Sequence, residues 1–67
     1  MRIDIVGIAD DWEGLYVDGV LVTQGHRIDR DDIMAQVPTV EYREHEAWAA
    51  EYDECPALLA DVQLDAP

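Results

Sequence analysis

His26, His45 and Cys55 are the side chains of this sequence best suited to ligate zinc or to attack a substrate, and they stand among 16 carboxylates. A zinc site needs several such ligands converging at recognisable spacing. His45-Glu46 lacks the second histidine of the H-E-x-x-H pattern, and no second thiol accompanies Cys55. In Glu54-Cys55-Pro56 no basic neighbour lowers the thiol pKa, so Cys55 reads as a small hydrophobe. Asp29-Arg30-Asp31-Asp32 places acids at alternate positions, as calcium loops do. Counted from Asp29, however, the sixth and twelfth positions are Met34 and Val40, where an EF-hand requires Gly and Glu. Paired carboxylates perform acid–base chemistry where seclusion splits their pKa values. A chain of 67 residues leaves little volume for such a cleft. Lys is absent, which removes Schiff-base and P-loop chemistry. The expectation is a non-enzymatic protein with no catalytic residue, no metal and no cofactor.

The charge points to a class of partner. Asp+Glu 16 against Lys+Arg 4 gives a net charge of −12. Such a surface repels nucleic-acid phosphates and anionic lipids, so neither direct nucleic-acid binding nor membrane binding is expected. Asp4 interrupts the N-terminal apolar stretch, which argues against a signal peptide, and the single cysteine suits a reducing cytoplasm. Hydrophobic residues make up 49% of the chain and recur along most of it, which favours one folded domain over 1–67 with a frayed tail from about 63.

These side chains must be positioned by short elements. Residues Arg2–Ile8 alternate and are β-branched, predicting a first strand, followed by an acidic loop over Ala9–Gly14. Asp18-Gly19 between Leu15-Tyr16-Val17 and Val20-Leu21-Val22-Thr23 predicts a hairpin over 15–23 with a type I′ turn. Val17 then faces Val20, Tyr16 faces Leu21 and Leu15 faces Val22. Asp29 suits a helix N-cap, with Asp31 and Asp32 in the first turn and Ile33, Met34 and Val37 facing inward before Pro38. Thr39–Tyr42 fits a strand or a helix entry and is assigned to helix entry. His45, Trp48, Ala49, Tyr52 and Cys55 lie at helical spacing, predicting an amphipathic helix over 43–54 with Glu44, Glu51 and Glu54 on its back. Pro56 is expected to open a last helical turn. The fold class is α+β, with a three-stranded, mainly antiparallel sheet packed against two or three short helices.

The acids fall into clusters: Asp10 and Asp11 with Glu13, Asp18 at the hairpin tip, Asp29 with Asp31 and Asp32, and the run from Glu41 to Glu54. Alternate residues of a strand recur at roughly 6.6 Å, and helical i, i+4 pairs at about 5–6 Å between Cβ atoms. Rows of carboxylates at such spacing can occupy the places phosphates take against Arg and Lys. The candidate contact set is therefore Asp10, Asp11, Glu13, Asp18, Asp31, Asp32, Glu44, Glu51 and Glu54. Trp12, Tyr16 and Leu21 form a candidate apolar contact. Trp48 and Tyr52 read as core residues.

Trp12-Glu13-Gly14-Leu15-Tyr16-Val17-Asp18-Gly19, continued by Leu21 and Gly25-His26, resembles a group of short phage and prophage-type proteins of unassigned function. The likeness covers residues 12 to 28 and transfers no catalytic residue. At the level of class, a tiny, acidic, Cys-poor chain is similar to phage-encoded inhibitors of host defence, including anti-CRISPR proteins that imitate nucleic acid. The resemblance implies a blocking role in the host cytoplasm, by a monomer or homodimer. The partner would be a basic nucleic-acid-binding protein such as a CRISPR effector subunit. The rival reading is a halophilic or phage-borne interaction module whose acidity serves solubility.

Thermal melts by circular dichroism in roughly 0.1 M and roughly 1 M KCl separate the two, because the Debye length drops from about 10 to 3 Å between them. Under the blocking reading the chain is already folded at the lower salt. A chain folded only at the higher salt assigns the acidity to environment.

Overall fold

The computed structural model describes residues 1–9, 11–31 and 41–65. Four strands form one mixed sheet: β1 (Arg2–Ala9), β2 (Trp12–Val17), β3 (Val20–Gly25) and β4 (Glu41–Glu46), in spatial order β3-β2-β1-β4. β2 runs antiparallel to both β1 and β3, whereas β4 runs parallel to β1. A central strand is covered on both faces and so reads as a near-continuous apolar run. β1 follows that rule, with Ile3, Ile5, Val6 and Ile8 all buried.

The hairpin forms as its sequence demands. Asp18 (φ 51°) and Gly19 (φ 86°) both adopt the positive φ of a type I′ turn. The tip is tied to β1 by a reciprocal pair: the Arg2 N–H donates to Asp18 Oδ1 at 2.8 Å, and the Asp18 N–H donates to the Arg2 carbonyl at 2.8 Å. Val17 faces Val20 and Tyr16 faces Leu21, but Leu15 pairs with Thr23 and not with Val22. Val22 is the extra residue of a bulge, which leaves it 56% exposed.

The expected α+β class with two or three helices is overturned. The described residues form a mostly-β protein whose one named helical element is a 3-10 turn over Leu59–Asp61. The largest difference lies at 43–54. Glu41–Glu46 pairs with the free edge of β1, so that Tyr42 packs on the Ile3–Ile5 face and His45 lies beside Val6 on the other. A period of two thus replaces the helical period. Trp48–Glu51 is a turn, closed by the Glu51 N–H on the Trp48 carbonyl, with Glu51 at φ 53°. Glu41 and Tyr42 are strand and not helix entry. Asp29 does cap as expected, its Oδ1 accepting the Asp31 N–H at 2.9 Å, and Arg30 and Asp31 hold helical geometry. Ile33, Met34, Val37, Pro38 and Thr39 lie outside the described residues.

After Pro56, Leu58 is extended and a helical turn follows as the 3-10 turn over Leu59–Asp61, with Leu21 and Gly19 of the hairpin offering the segment backbone partners. The Leu21 N–H donates to Ala57 O at 2.9 Å and the Leu59 N–H to Gly19 O at 2.8 Å. Gln63 and Asp65 each donate a backbone hydrogen bond to the rest of the fold. The Gln63 N–H donates to the Tyr52 hydroxyl at 3.0 Å, and the Asp65 N–H donates to Glu46 O at 2.8 Å.

Each sheet face carries a core. One gathers Ile3, Ile5 and Ile28 with Leu15, Val17 and Tyr42 against them; the other is built on Val6, Ile8, Tyr16, Ala47, Cys55 and Val62. Gly14 is what lets Cys55 reach the sheet. A Cβ on Gly14 would overlap Cys55 Sγ and lie 3.0 Å from Cys55 Cβ and 3.2 Å from Leu21 Cδ1. Gly14→Ala should therefore destabilise the fold by about 1–3 kcal/mol in a denaturant melt. Adding Cys55→Ala should recover part of that loss, the non-additivity expected of side chains in contact.

Candidate functional site

Two strands bring carboxylates to one end of the Ile5 face, on either side of β1. Glu13 on β2 and Glu46 on β4 both stand opposite Gly7 of β1, and Glu44 stands opposite Ile5. Arg30 reaches across them. Its Nη2 donates to Glu13 Oε2 at 2.6 Å and to Glu44 Oε1 at 2.7 Å, its Nε to Glu44 Oε1 at 2.9 Å, and its Nη1 to Glu13 Oε1 at 3.1 Å. Glu13 Oε1 also accepts the Ile28 N–H at 3.1 Å, which fixes the loop after β3. Charge-assisted forks of this kind are the stronger class of hydrogen bond. The Arg30 hydrogen bonds hold the Glu13 carboxyl below its usual range against the opposing effect of burial, and the two carboxylates raise the Arg30 pKa. Burial, with Glu44 nearby, pushes the Tyr42 hydroxyl up.

This network lines an open cleft of about 670 Å³ together with Gly7, Glu46, Trp48 and Leu64. Trp48, expected in the core, is 47% exposed.

The opposite face holds a buried carboxylate. Asp4 is 0% exposed; it accepts from Arg2 Nε at 2.9 Å on Oδ2, and its Oδ1 lies 2.7 Å from His45 Nε2. An aspartate–histidine pair can serve a nucleophile. The thiol on this face is screened from it, because Cys55 sits over Gly14 and the register places Val6 between Gly14 and His45. Burial also raises the Cys55 pKa. The pair therefore acts as a structural tie between β1 and β4.

Of the acids singled out from sequence, the structure brings together Glu13 and Glu44, through Arg30. Asp18 is engaged by the Arg2 backbone. Asp11, Asp31, Glu51 and Glu54 are exposed and lie apart from the cleft lining. Asp10 and Asp32 lie outside the described residues. Of the expected apolar contact, Trp12 and Leu21 are half-buried and Tyr16 is away from the surface. Tyr16 is 0% exposed, its hydroxyl donating to Pro56 O at 2.6 Å, with burial pushing its pKa up to about 12. Leu21 packs against the same core, and Trp12 Nε1 donates to Gln24 Oε1 at 3.1 Å. Among the described residues the large exposed apolar side chains are instead Val20, Val22, Leu58, Trp48 and Leu64, together with Met1. Sequence reasoning missed Arg30 and Asp4. An acid in the middle of an apolar alternation was the available signal for Asp4; Arg30 carried none.

Among the described residues no group of three or more His, Cys, Asp or Glu is placed to hold a metal ion, and no helix is long and apolar enough to cross a membrane. No protein-family model, curated protein or solved structure matches this chain.

The Arg30 fork makes a pH prediction. Glu13 titrates below its ordinary value near 4.5 in the folded state, so its contribution is present above that value and lost as pH falls through the folded-state one. Arg30→Gln should cost about 1 kcal/mol near neutrality, given partial exposure. Its melting curve should converge on the parent's in acid. Melts taken from about pH 7 to about pH 3 test this; coincident curves would show that the fork contributes nothing, and a constant offset that its contribution does not come from Glu13 ionisation.

Proposed function

We propose that this chain is a non-enzymatic acidic inhibitor that occludes the basic nucleic-acid-binding surface of a host defence protein, as the phage-type and anti-CRISPR resemblance implies. One observation carries the reading. Arg2 and Arg30 are engaged in internal ion pairs with Asp4, Glu13 and Glu44, while Glu41, Glu46, Glu51, Asp53, Glu54 and Asp61 are exposed. Arg27 and Arg43 are exposed as well, so the outward charge stays strongly acidic, as the composition requires. Carboxylates presented to a surface built for phosphate exchange with its Arg and Lys contacts, and such association falls steeply with salt. The proposed action is competitive: it needs no cofactor and no chemical step, only that the acidic protein and nucleic acid exclude one another.

The second reading, an interaction module whose acidity serves solubility, is favoured by one observation. Val20, Val22 and Leu58 are about half exposed along the hairpin. Contact through that patch would persist in high salt.

Displacement of labelled duplex DNA from CRISPR effector subunits, followed by anisotropy, tests the proposal. The protein should displace DNA in roughly 0.1 M salt and far less in roughly 1 M. Glu51→Asn with Glu54→Gln should weaken displacement several-fold without loss of fold, since Asn tolerates the left-handed backbone at position 51. Absence of displacement at low salt would overturn the reading, and salt-resistant binding without displacement would favour the module.

A further inference from the structure

Trp48 is the bulkiest of the exposed apolar side chains among the described residues. Its backbone is nevertheless held firmly: the Trp48 N–H donates to Asp65 Oδ2 at 3.1 Å, the Ala49 N–H to Oδ1 at 3.0 Å, and the Asp65 N–H to Glu46 O at 2.8 Å. The indole lies against the backbone of β1, since a Cβ on Gly7 would sit 3.8 Å from Trp48 Nε1. A Cβ at Gly7 would meet the ring in ordinary van der Waals contact. Leu64, 42% exposed, supplies a second apolar wall of the same cleft, and Glu44 and Glu46 line it as well.

A rigid aromatic face, an aliphatic wall and carboxylates together suit one kind of side chain. A guanidinium stacks flat on indole, covers apolar surface with its stem and offers its N–H fork to a carboxylate. An ammonium makes the ion pair but lacks the plane. The chain's own Arg30 already lays its fork between Glu13 and Glu44 in the same cleft. Charge complementarity on a molecule of net charge −12 also selects a cationic occupant.

We propose that the Trp48 cleft is the anchor point of the partner interface and receives an arginine side chain of the basic partner, stacked on the indole and paired with Glu46. The proposal rests on the inhibitor reading and names the contact by which that reading becomes specific. Such anchors, aromatic and arginine above all, carry most of the energy of an interface.

Labelled hexa-arginine and hexa-lysine peptides, titrated with the full chain in roughly 0.15 M salt, test it. The parent should prefer hexa-arginine. Trp48→Ala should weaken hexa-arginine about three- to tenfold and hexa-lysine less, and Trp48→Phe should retain part of the preference. Glu46→Gln, on an exposed position, should weaken the same peptide with no effect on melting, whereas Glu54→Gln, outside the cleft, should leave the arginine preference intact. Equal affinity of parent, Trp48→Ala and Glu46→Gln for hexa-arginine would overturn the proposal. That result would leave the inhibitor reading standing, because DNA displacement by the parent is its separate measure.

Discussion

The carboxylate of Asp4 lies inside the central strand with no exposed surface, and its two partners set how the chain closes around it. Taking a carboxylate out of water costs several kcal/mol, and leaving it unpaired is strongly destabilising. Arg2 comes from the same face of the same strand, so it is local and needs little ordering to bring. His45 comes from 41 residues away, and reaching Asp4 Oδ1 requires β4 to lie alongside β1 in one register. The parallel pairing that closes the sheet is thereby coupled to the satisfaction of one buried charge. From β4 the constraint passes on. Glu46 O accepts the Asp65 N–H, Asp65 holds the turn at Trp48, and the indole comes to rest over Gly7.

Electrostatics shapes the rest of the molecule in a second way. A surplus of acids raises self-repulsion in the compact state, and a chain with four cations has little to offset it. Arg30 sits where one guanidinium neutralises two carboxylates from different strands. The Arg2 guanidinium pairs with one carboxylate of its own strand, the buried Asp4, and the Arg2 backbone N–H donates to Asp18. Glu13 and Asp18 are accordingly bound up with the fold, while Glu51, Asp53 and Glu54 project from a loop without such duties among the described residues. The distinction matters for function, because an acid already engaged by an internal arginine has less to offer a partner's.

The hairpin could be read from the sequence because its information is local. Asp18-Gly19 specifies the turn, and the turn fixes the two nearest pairs. The bulge at Val22 was not legible, since a Val-Leu-Val run has no marker for which residue is left over. The fate of 41–54 was hidden for a different reason. Glu41–Glu46 contains no β-branched residue, and Glu, Arg, Trp48 and Tyr52 at helical spacing satisfy every local rule for an amphipathic helix. What makes it a strand is non-local: the free edge of β1 and a buried aspartate needing a histidine. The cleft was illegible for the same cause, because Gly7, Glu44 and Trp48 meet only once β4 is a strand.

The two outer strands of the sheet are protected by different means, and the difference bears on where a partner can approach. An outer strand invites pairing with other chains unless it is charged or covered. β3 carries no charged residue, and the segment Ala57–Leu59 lies along its start, bonded to Leu21 and Gly19. β4 carries Glu41, Arg43, Glu44 and Glu46. Covering removes backbone from reach but leaves Val20, Val22 and Leu58 as an apolar surface that discriminates poorly among partners. Charging disfavours acidic and apolar strands while attracting cationic ones. The charged strand is also the one that leads into Trp48, so selectivity by sign and the exposed indole fall on the same part of the molecule.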